Sequence, residues 1–363
     1  MAEPSAPRFL ESEFAQASPA TARFHILPVP WEYSVSYGAG TARGPDAILA
    51  ASSQLEAFDG QSSPGEDGIH TWPAVDCTGP PEMVFPRIRE AIAAIYRAHA
   101  FPGRRGEAKR RGQSERRGQS ERRGQSERPD HPKRPIPVIL GGEHSLTATA
   151  VAGVASGAEL TTAGGAAADL GVIQIDAHAD LRDTYEGSSA SHACVARRLH
   201  ADLRTPLLQL GVRALSAEES IYRREAANQP GAPLLAFHDA EELIRSGRDH
   251  LRIPSEIPGQ VYLTLDVDGL DPSVIPETGT PVPGGLGWYQ TLALVSSIAG
   301  QREIVAVDVV ELSPRPDSIV SAYATAELVY RIMGIISRAG AAGTGPDAYA
   351  DHDCGRRPSR FEA

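Results

Sequence analysis

Three short segments of this chain end apolar runs in side chains that bind metals. In Gly171–Asp180, GVIQIDAHAD, the run stops at Asp176, His178 and Asp180. Val172–Ile175 reads as a buried strand, being short, apolar and rich in β-branched residues. Successive side chains of an extended segment point to opposite sides. If the path stays extended, the three residues therefore converge on one point. Two carboxylates and an imidazole so placed form half a shell for a hard divalent cation. The second segment, Leu263–Pro272, sets Asp266 and Asp268 two apart at the end of another apolar run. A buried aspartate pair without a cation is strongly disfavoured, so a metal reading is preferred to a solvated loop. In the third, Gly141–Ser145, His144 follows paired glycines, which let the backbone approach something closely. A further segment, Val307–Pro314, leaves Glu311 at a strand end.

Two histidines and four aspartates can hold two divalent ions, with Asp176 and Asp266 shared between them. Ligation rich in carboxylate and free of cysteine favours Mn²⁺ or Mg²⁺ over Zn²⁺, and imidazole tilts it to Mn²⁺. Such a pair lowers the pKa of a bridging water and presents hydroxide to an electrophilic carbon or phosphorus. Asp180 can also accept a hydrogen bond from that hydroxide.

The elements needed to position these residues are legible as an alternation. Strands are expected at 24–27 (stopped by Pro28 and Pro30), 137–140, 172–175, 207–212, 234–237, 261–265 and 304–309. Helices are expected after Pro45 and at 82–99, 146–155, 191–199, 217–224, 240–246, 288–299 and 321–337. Strands alternating with helices imply a parallel sheet covered on both faces, with ligands at the carboxyl ends of the strands. The 363 residues, 41% hydrophobic, suffice for one large α/β core. Residues 1–20 read as a flexible lead, 21–337 as the domain and 338–363 as a flexible tail. Within the domain, 103–135 reads as a disordered insert: Arg111–Arg128 is three copies of RGQSER, with nothing apolar to bury. The cluster Asp351-His352-Asp353-Cys354 stands on no strand and reads as solvated.

Net charge is −11, which argues against nucleic acid as the main partner. Three scattered cysteines, Cys77, Cys194 and Cys354, make no disulfide framework and suit a reducing cytoplasm. No run approaches the roughly 20 apolar residues needed to span a bilayer, and the N-terminus lacks the apolar core of a secretory signal.

In this order and spacing, GGEHS, DAHADLRD, SHACVARRL, LTLDVDGLDPS and VVELSP resemble the ureohydrolase family of arginases and agmatinases. The resemblance implies an arginase-like three-layer α/β/α fold with an eight-stranded parallel sheet. It also implies a dimanganese site that hydrolyses a guanidinium group to urea and an amine. By it, His144, Asp176, Asp180 and Asp266 hold one manganese, and Asp176, His178, Asp266 and Asp268 the other. His192 matches a proton-shuttling histidine. Glu311 matches the glutamate that pairs with the guanidinium, whose planar donor fork a carboxylate fits. The loop Leu181–Ala190 resembles the agmatinase version and lacks the arginase Asn, so Asp183 or Glu186 is a candidate partner for a substrate ammonium.

Two departures stand out. Glu143 replaces the usual Asp, with no role expected beside His144, and Pro276–Gly285 replaces a more glycine-rich loop. The expectation is a cytoplasmic, Mn²⁺-dependent agmatinase making putrescine and urea, with no membrane or nucleic-acid partner. The family suggests a homo-oligomer, trimer or hexamer. The alternatives are another guanidino substrate, such as 4-guanidinobutyrate or arginine, and a two-metal phosphoesterase.

Overall fold

The strands are apolar runs short enough to be buried end to end. They are β1 (Phe24–Val29), β2 (Ile69–Thr71), β3 (Ile136–Gly141), β4 (Leu170–Ile175), β5 (Leu207–Leu210), β6 (Leu235–His238), β7 (Gln260–Asp266) and β8 (Glu303–Val310). The computed structural model describes residues 7–99, 134–160, 169–226 and 229–342. All eight strands are parallel, in the order β2-β1-β3-β8-β7-β4-β5-β6. Every residue of β1, β3, β4 and β5 is buried, as a parallel sheet covered on both faces requires.

Alternation along the strands feeds two cores. Phe24, Ile26, Ile173 and Ile175 pack on one side with α1 (Gly44–Ser52), α6 (Ala240–Arg245), α7 (Trp288–Gln301) and α8 (Val320–Ala342). Leu27, Val29 and Val172 pack on the other with α2 (Pro81–Ala98), α3 (Leu146–Gly157), α4 (Val195–Arg197) and α5 (Ala217–Ala226). The result is the expected three-layer α/β/α arrangement.

Register then positions the chemistry. β3, β8, β7 and β4 are consecutive in the sheet. Ile175 pairs with Leu265, which sets Asp176 beside Asp266, and Asp266 pairs with Val310, which sets Glu311 next to it. His144 follows the end of β3, whose Leu140 pairs with Val309. Four neighbouring strand ends therefore deliver all the candidate ligands to one place.

Several boundaries differ from expectation. β1 runs through Pro28 to Val29, because its pairing with β2 ends at Ile26 and no N–H is needed beyond it. β2, only three residues long, was not expected. The helix expected over 191–199 is composite: a 3-10 turn His192–Cys194, α4, and a π turn Arg198–Asp202. Where a flexible lead was expected, Phe9 and Leu10 are buried, their N–H groups donating to Thr71 Oγ1 (3.0 Å) and Ser52 Oγ (2.9 Å). α8 continues past 337, where Arg338 donates to Asp59 Oδ2 at 2.6 Å. The rest of the tail, including Asp351–Cys354, lies outside the described residues, as does the insert apart from Arg134 and Pro135. Among the described residues, no helix is long and apolar enough to cross a membrane.

Candidate metal centre and cleft

His144 reaches the sheet edge because Gly142 has no side chain. A Cβ there would lie 1.8 Å from the Trp31 carbonyl oxygen. That close approach lets Gly142 and Glu143 donate to the Val29 and Trp31 carbonyls, at 2.9 and 2.8 Å.

Nδ1 of the buried His144 lies 3.1 Å from Asp176 Oδ2, 3.2 Å from Asp180 Oδ2 and 3.4 Å from Asp266 Oδ2. It nevertheless makes no aligned hydrogen bond to any of them, so the four atoms ring a point rather than share a proton. Donors at right angles around an ion with bonds of about 2.1 Å stand about 3.0 Å apart, close to these separations. Nε2 of the same ring lies 2.9 Å from Thr264 Oγ1, which orients it. Next to this group, His178 Nδ1 lies 2.9 Å from Asp268 Oδ2 and 3.8 Å from Asp176 Oδ1. Asp176 thus turns one oxygen to each group, and both candidate triads contain it. Asp266 faces the first group with Oδ2, while its Oδ1 accepts from Asp268 N–H at 2.9 Å. The donor set, oxygen-rich with two imidazoles, fits two hard divalent ions.

The titration behaviour says the same. Burial, with Asp180 and Asp268 nearby, pushes Asp176 up to about 7. Burial would lower His178, yet Asp268 and Asp176 raise it to about 10. Burial is likewise overcome at His144, which Asp176, Asp180 and Asp266 hold well above the ordinary imidazole range.

Asp180 and Glu311 both have left-handed backbones, φ 51° and 64°. Such strain on non-glycine residues concentrates at functional sites. Glu311 Oε1 accepts from His144 N–H at 2.6 Å. Burial and the neighbouring Glu143 push its carboxyl well above the usual range. That is an environment in which a bound cation is favoured.

His144, His178, Asp180, His192, Asp266, Asp268 and Glu311 line one cleft together with Thr280 of the 276–285 loop. A cavity of about 340 Å³ opens beside it, sharing His178, Asp180 and His192 and extending to Tyr185, Leu215 and Glu219. The structure does not bring the expected substrate carboxylates there. Asp183, 61% exposed, pairs with Arg198 at 2.6 Å. Glu186 is exposed on the tight turn joining Tyr185 and Ser188. Besides Asp180, the carboxylate of Glu219 lines the cavity, as does Arg182; Glu219 accepts from Leu181 and Ser216 N–H at 2.9 and 2.6 Å. The sequence reading missed it because α5 lies far along the chain from the ligand motifs and carries two adjacent glutamates, Glu218 and Glu219, with nothing to distinguish them.

A profile of the arginase family matches residues 22–334. The N(1)-aminopropylagmatine ureohydrolase of Synechocystis is 34% identical over 330 residues, 90% of this chain and 93% of that protein. The agmatinase of Pyrococcus horikoshii is 31% identical over 205 residues, 56% of this chain and 64% of that protein. Among solved structures, proclavaminate amidino hydrolase from Streptomyces clavuligerus superposes with a TM-score of 0.67 at 21% identity, covering 92% of this chain and 97% of that one. At that identity, the likeness shows the fold alone.

Proposed function

The chain belongs to the arginase family, and on that premise we propose that it is a Mn²⁺-dependent ureohydrolase of a guanidino polyamine, N(1)-aminopropylagmatine, with agmatine as the alternative. The observation carrying the choice of substrate is the cavity beside the metal cluster. Its volume, about 340 Å³, lies within the range of small-molecule sites, roughly 300–1,000 Å³. Its lining joins His178 and Asp180 of the cluster to Tyr185, Leu215 and Glu219, with Arg182 also on the wall. A guanidine with a long cationic tail suits that path. The near full-length similarity to an aminopropylagmatine ureohydrolase supports the longer tail over agmatine.

His144, Asp176, Asp180 and Asp266 would hold one ion, and Asp176, His178 and Asp268 the other, with Asp266 within reach of both. Two bound divalent ions supply a water of lowered pKa and neutralise developing negative charge. The chain's own residues do the rest. Glu311 pairs with the guanidinium and holds its carbon over the cluster, and the strained backbone fixes that carboxylate in advance. Asp180, at the wall between cluster and cavity, accepts a hydrogen bond from the nucleophile. His192 gives a proton to the departing nitrogen. The carbon–nitrogen bond to the alkyl chain breaks, the water oxygen stays on carbon as urea, and the polyamine leaves as spermidine. Agmatine would leave putrescine. A cytoplasmic setting goes with this reading on the scattered cysteines, and homo-oligomeric assembly goes with it on family resemblance.

A panel of N(1)-aminopropylagmatine, agmatine, arginine and 4-guanidinobutyrate, with urea measured at saturating Mn²⁺, tests the substrate. kcat/KM is expected to be about 10-fold or more higher for aminopropylagmatine than for agmatine, since an unfilled apolar and acidic pocket forfeits one to three kcal/mol. Preference for arginine or guanidinobutyrate would refute a cationic-tail site. Separately, Glu311→Gln is expected to lower kcat/KM by about 10- to 100-fold, the worth of a charge-assisted hydrogen bond. Two equivalents of metal should remain bound. Steady-state kinetics and metal analysis of the same preparation check both parts.

A further inference from the structure

Glu143, the glutamate in the place of the family's aspartate, is fully buried, and its carboxylate accepts four hydrogen bonds. Oε2 accepts from the N–H groups of Tyr33 and Ser34 at 2.7 and 2.6 Å, and Oε1 from the hydroxyls of Ser34 and Ser145 at 2.9 and 2.5 Å. Ser145 is held in turn by the indole N–H of Trp31 at 2.8 Å. Ser34 is therefore pinned through backbone and side chain.

A serine hydroxyl has one proton to give. Glu143 meets donors at both oxygens, two backbone N–H groups on Oε2 and the Ser34 and Ser145 hydroxyls on Oε1, so the Ser34 proton is committed to Glu143. The same Ser34 Oγ lies 3.1 Å from His192 Nδ1 and accepts from His192 N–H at 3.0 Å. With its proton spent, Oγ can meet Nδ1 only as an acceptor, which requires a proton on Nδ1. The bond through His192's backbone N–H fixes the approach of the ring, and Tyr185 bounds it edge-on with centroids 5.9 Å apart.

We propose that Ser34 and Glu143 form a positioning relay that holds His192 in its Nδ1–H tautomer, leaving Nε2 as the nitrogen that exchanges protons with substrate. This rests on reading the site as a guanidine hydrolase with His192 as proton donor. The tautomer itself does not depend on that reading. A second nitrogen locked by a carboxylate-oriented partner is how histidines are commonly set for one-sided proton transfer. The relay also gives Glu143 a use that its position beside the ligand His144 conceals. It orients the histidine across the cleft while its neighbour faces Asp176, Asp180 and Asp266.

The test uses the full chain, ¹⁵N-labelled at histidine and loaded with diamagnetic Mg²⁺, at a pH where the imidazole is neutral. His192→Ala identifies the resonances. Wild type is expected to show a protonated Nδ1 and a bare Nε2 at His192. Ser34→Ala should lose that tautomer preference and, with Mn²⁺, lower kcat by about 10-fold or more while KM changes by less than about twofold. Ser34→Thr, which restores the hydroxyl, should recover both. Glu143→Gln, whose amide can donate to Ser34 and free its proton, should shift the tautomer in the same direction, and it carries the test if Ser34→Ala does not fold. A wild-type His192 protonated on Nε2 would overturn the relay. So would tautomer and kcat unchanged in both variants. If wild type released no urea from any guanidine while the tautomer behaved as described, the functional reading would fail and the relay would stand.

Discussion

Asp176→Asn is expected to lower urea release by about 10³-fold or more and to drop bound metal below two ions per chain. The magnitude follows from the several kcal/mol of transition-state stabilisation that a metal supplies, at about 1.4 kcal/mol per factor of ten. Asp176 carries the largest effect because it turns one oxygen to each group, Oδ2 to His144 at 3.1 Å and Oδ1 to His178 at 3.8 Å. Those oxygens are also held from behind by Gln174 Nε2 and His178 N–H, both at 2.6 Å. Asparagine keeps the shape and one acceptor, so the fold should persist and the loss should be one of ligation. Elemental analysis beside a urea assay checks it. Two equivalents of metal with ordinary turnover would contradict the bridging role.

Stripping the metals should destabilise the protein, and more so as pH rises. Each site filled at a hundred times its dissociation constant contributes about 2.7 kcal/mol, so two sites correspond to a fall in Tm of roughly 10 °C on removal. The pH dependence has a definite sign. Asp176 is raised by burial and by Asp180 and Asp268 to about 7. The metal-free fold therefore keeps a proton that the unfolded chain releases near its ordinary value, and stability falls between about pH 4 and 7. His178 is raised to about 10, against burial, by Asp268 and Asp176. Its contribution is present below its ordinary value near 6.5 and fades as pH rises toward 10. Both run the same way. Bound cations replace those protons, and their binding strengthens as ligands deprotonate. The Tm difference between loaded and chelated protein should thus be larger at pH 8 than at pH 5.5, as calorimetry would show. A gap that shrank with pH would contradict the cluster as a cation site.

The strand-end motifs were legible because a ligand set spaced by two on an extended chain is a local pattern. Asp176, His178, Asp180, Asp266, Asp268 and His144 all fall in runs short enough to read. Sheet order was not legible locally. Nothing near Ile175 or Leu265 says that β4 and β7 are neighbours, and that adjacency sets Asp176 beside Asp266. β2 escaped notice because Ile69–Thr71 is too short to carry a period. Which carboxylates line the cavity was not legible for a related reason. Asp183 and Glu186 follow the motif in sequence, but Asp183 is drawn off by Arg198 and the turn holding Glu186 leaves it exposed. Glu219 reaches the cavity instead, from a helix some forty residues on. Glu143 was set aside because a neighbour of a ligand has no periodic signature of its own. Its partners, Tyr33 and Ser34, lie over a hundred residues away in the chain.

Product analysis of N(1)-aminopropylagmatine incubated with the Mn²⁺-loaded protein and, in parallel, with chelator-treated protein decides whether this cluster hydrolyses a guanidinium group. Urea and spermidine are expected in one-to-one ratio, abolished by the chelator and restored by Mn²⁺. Phosphate released from a simple phosphoester, with no urea from any guanidine, would contradict it.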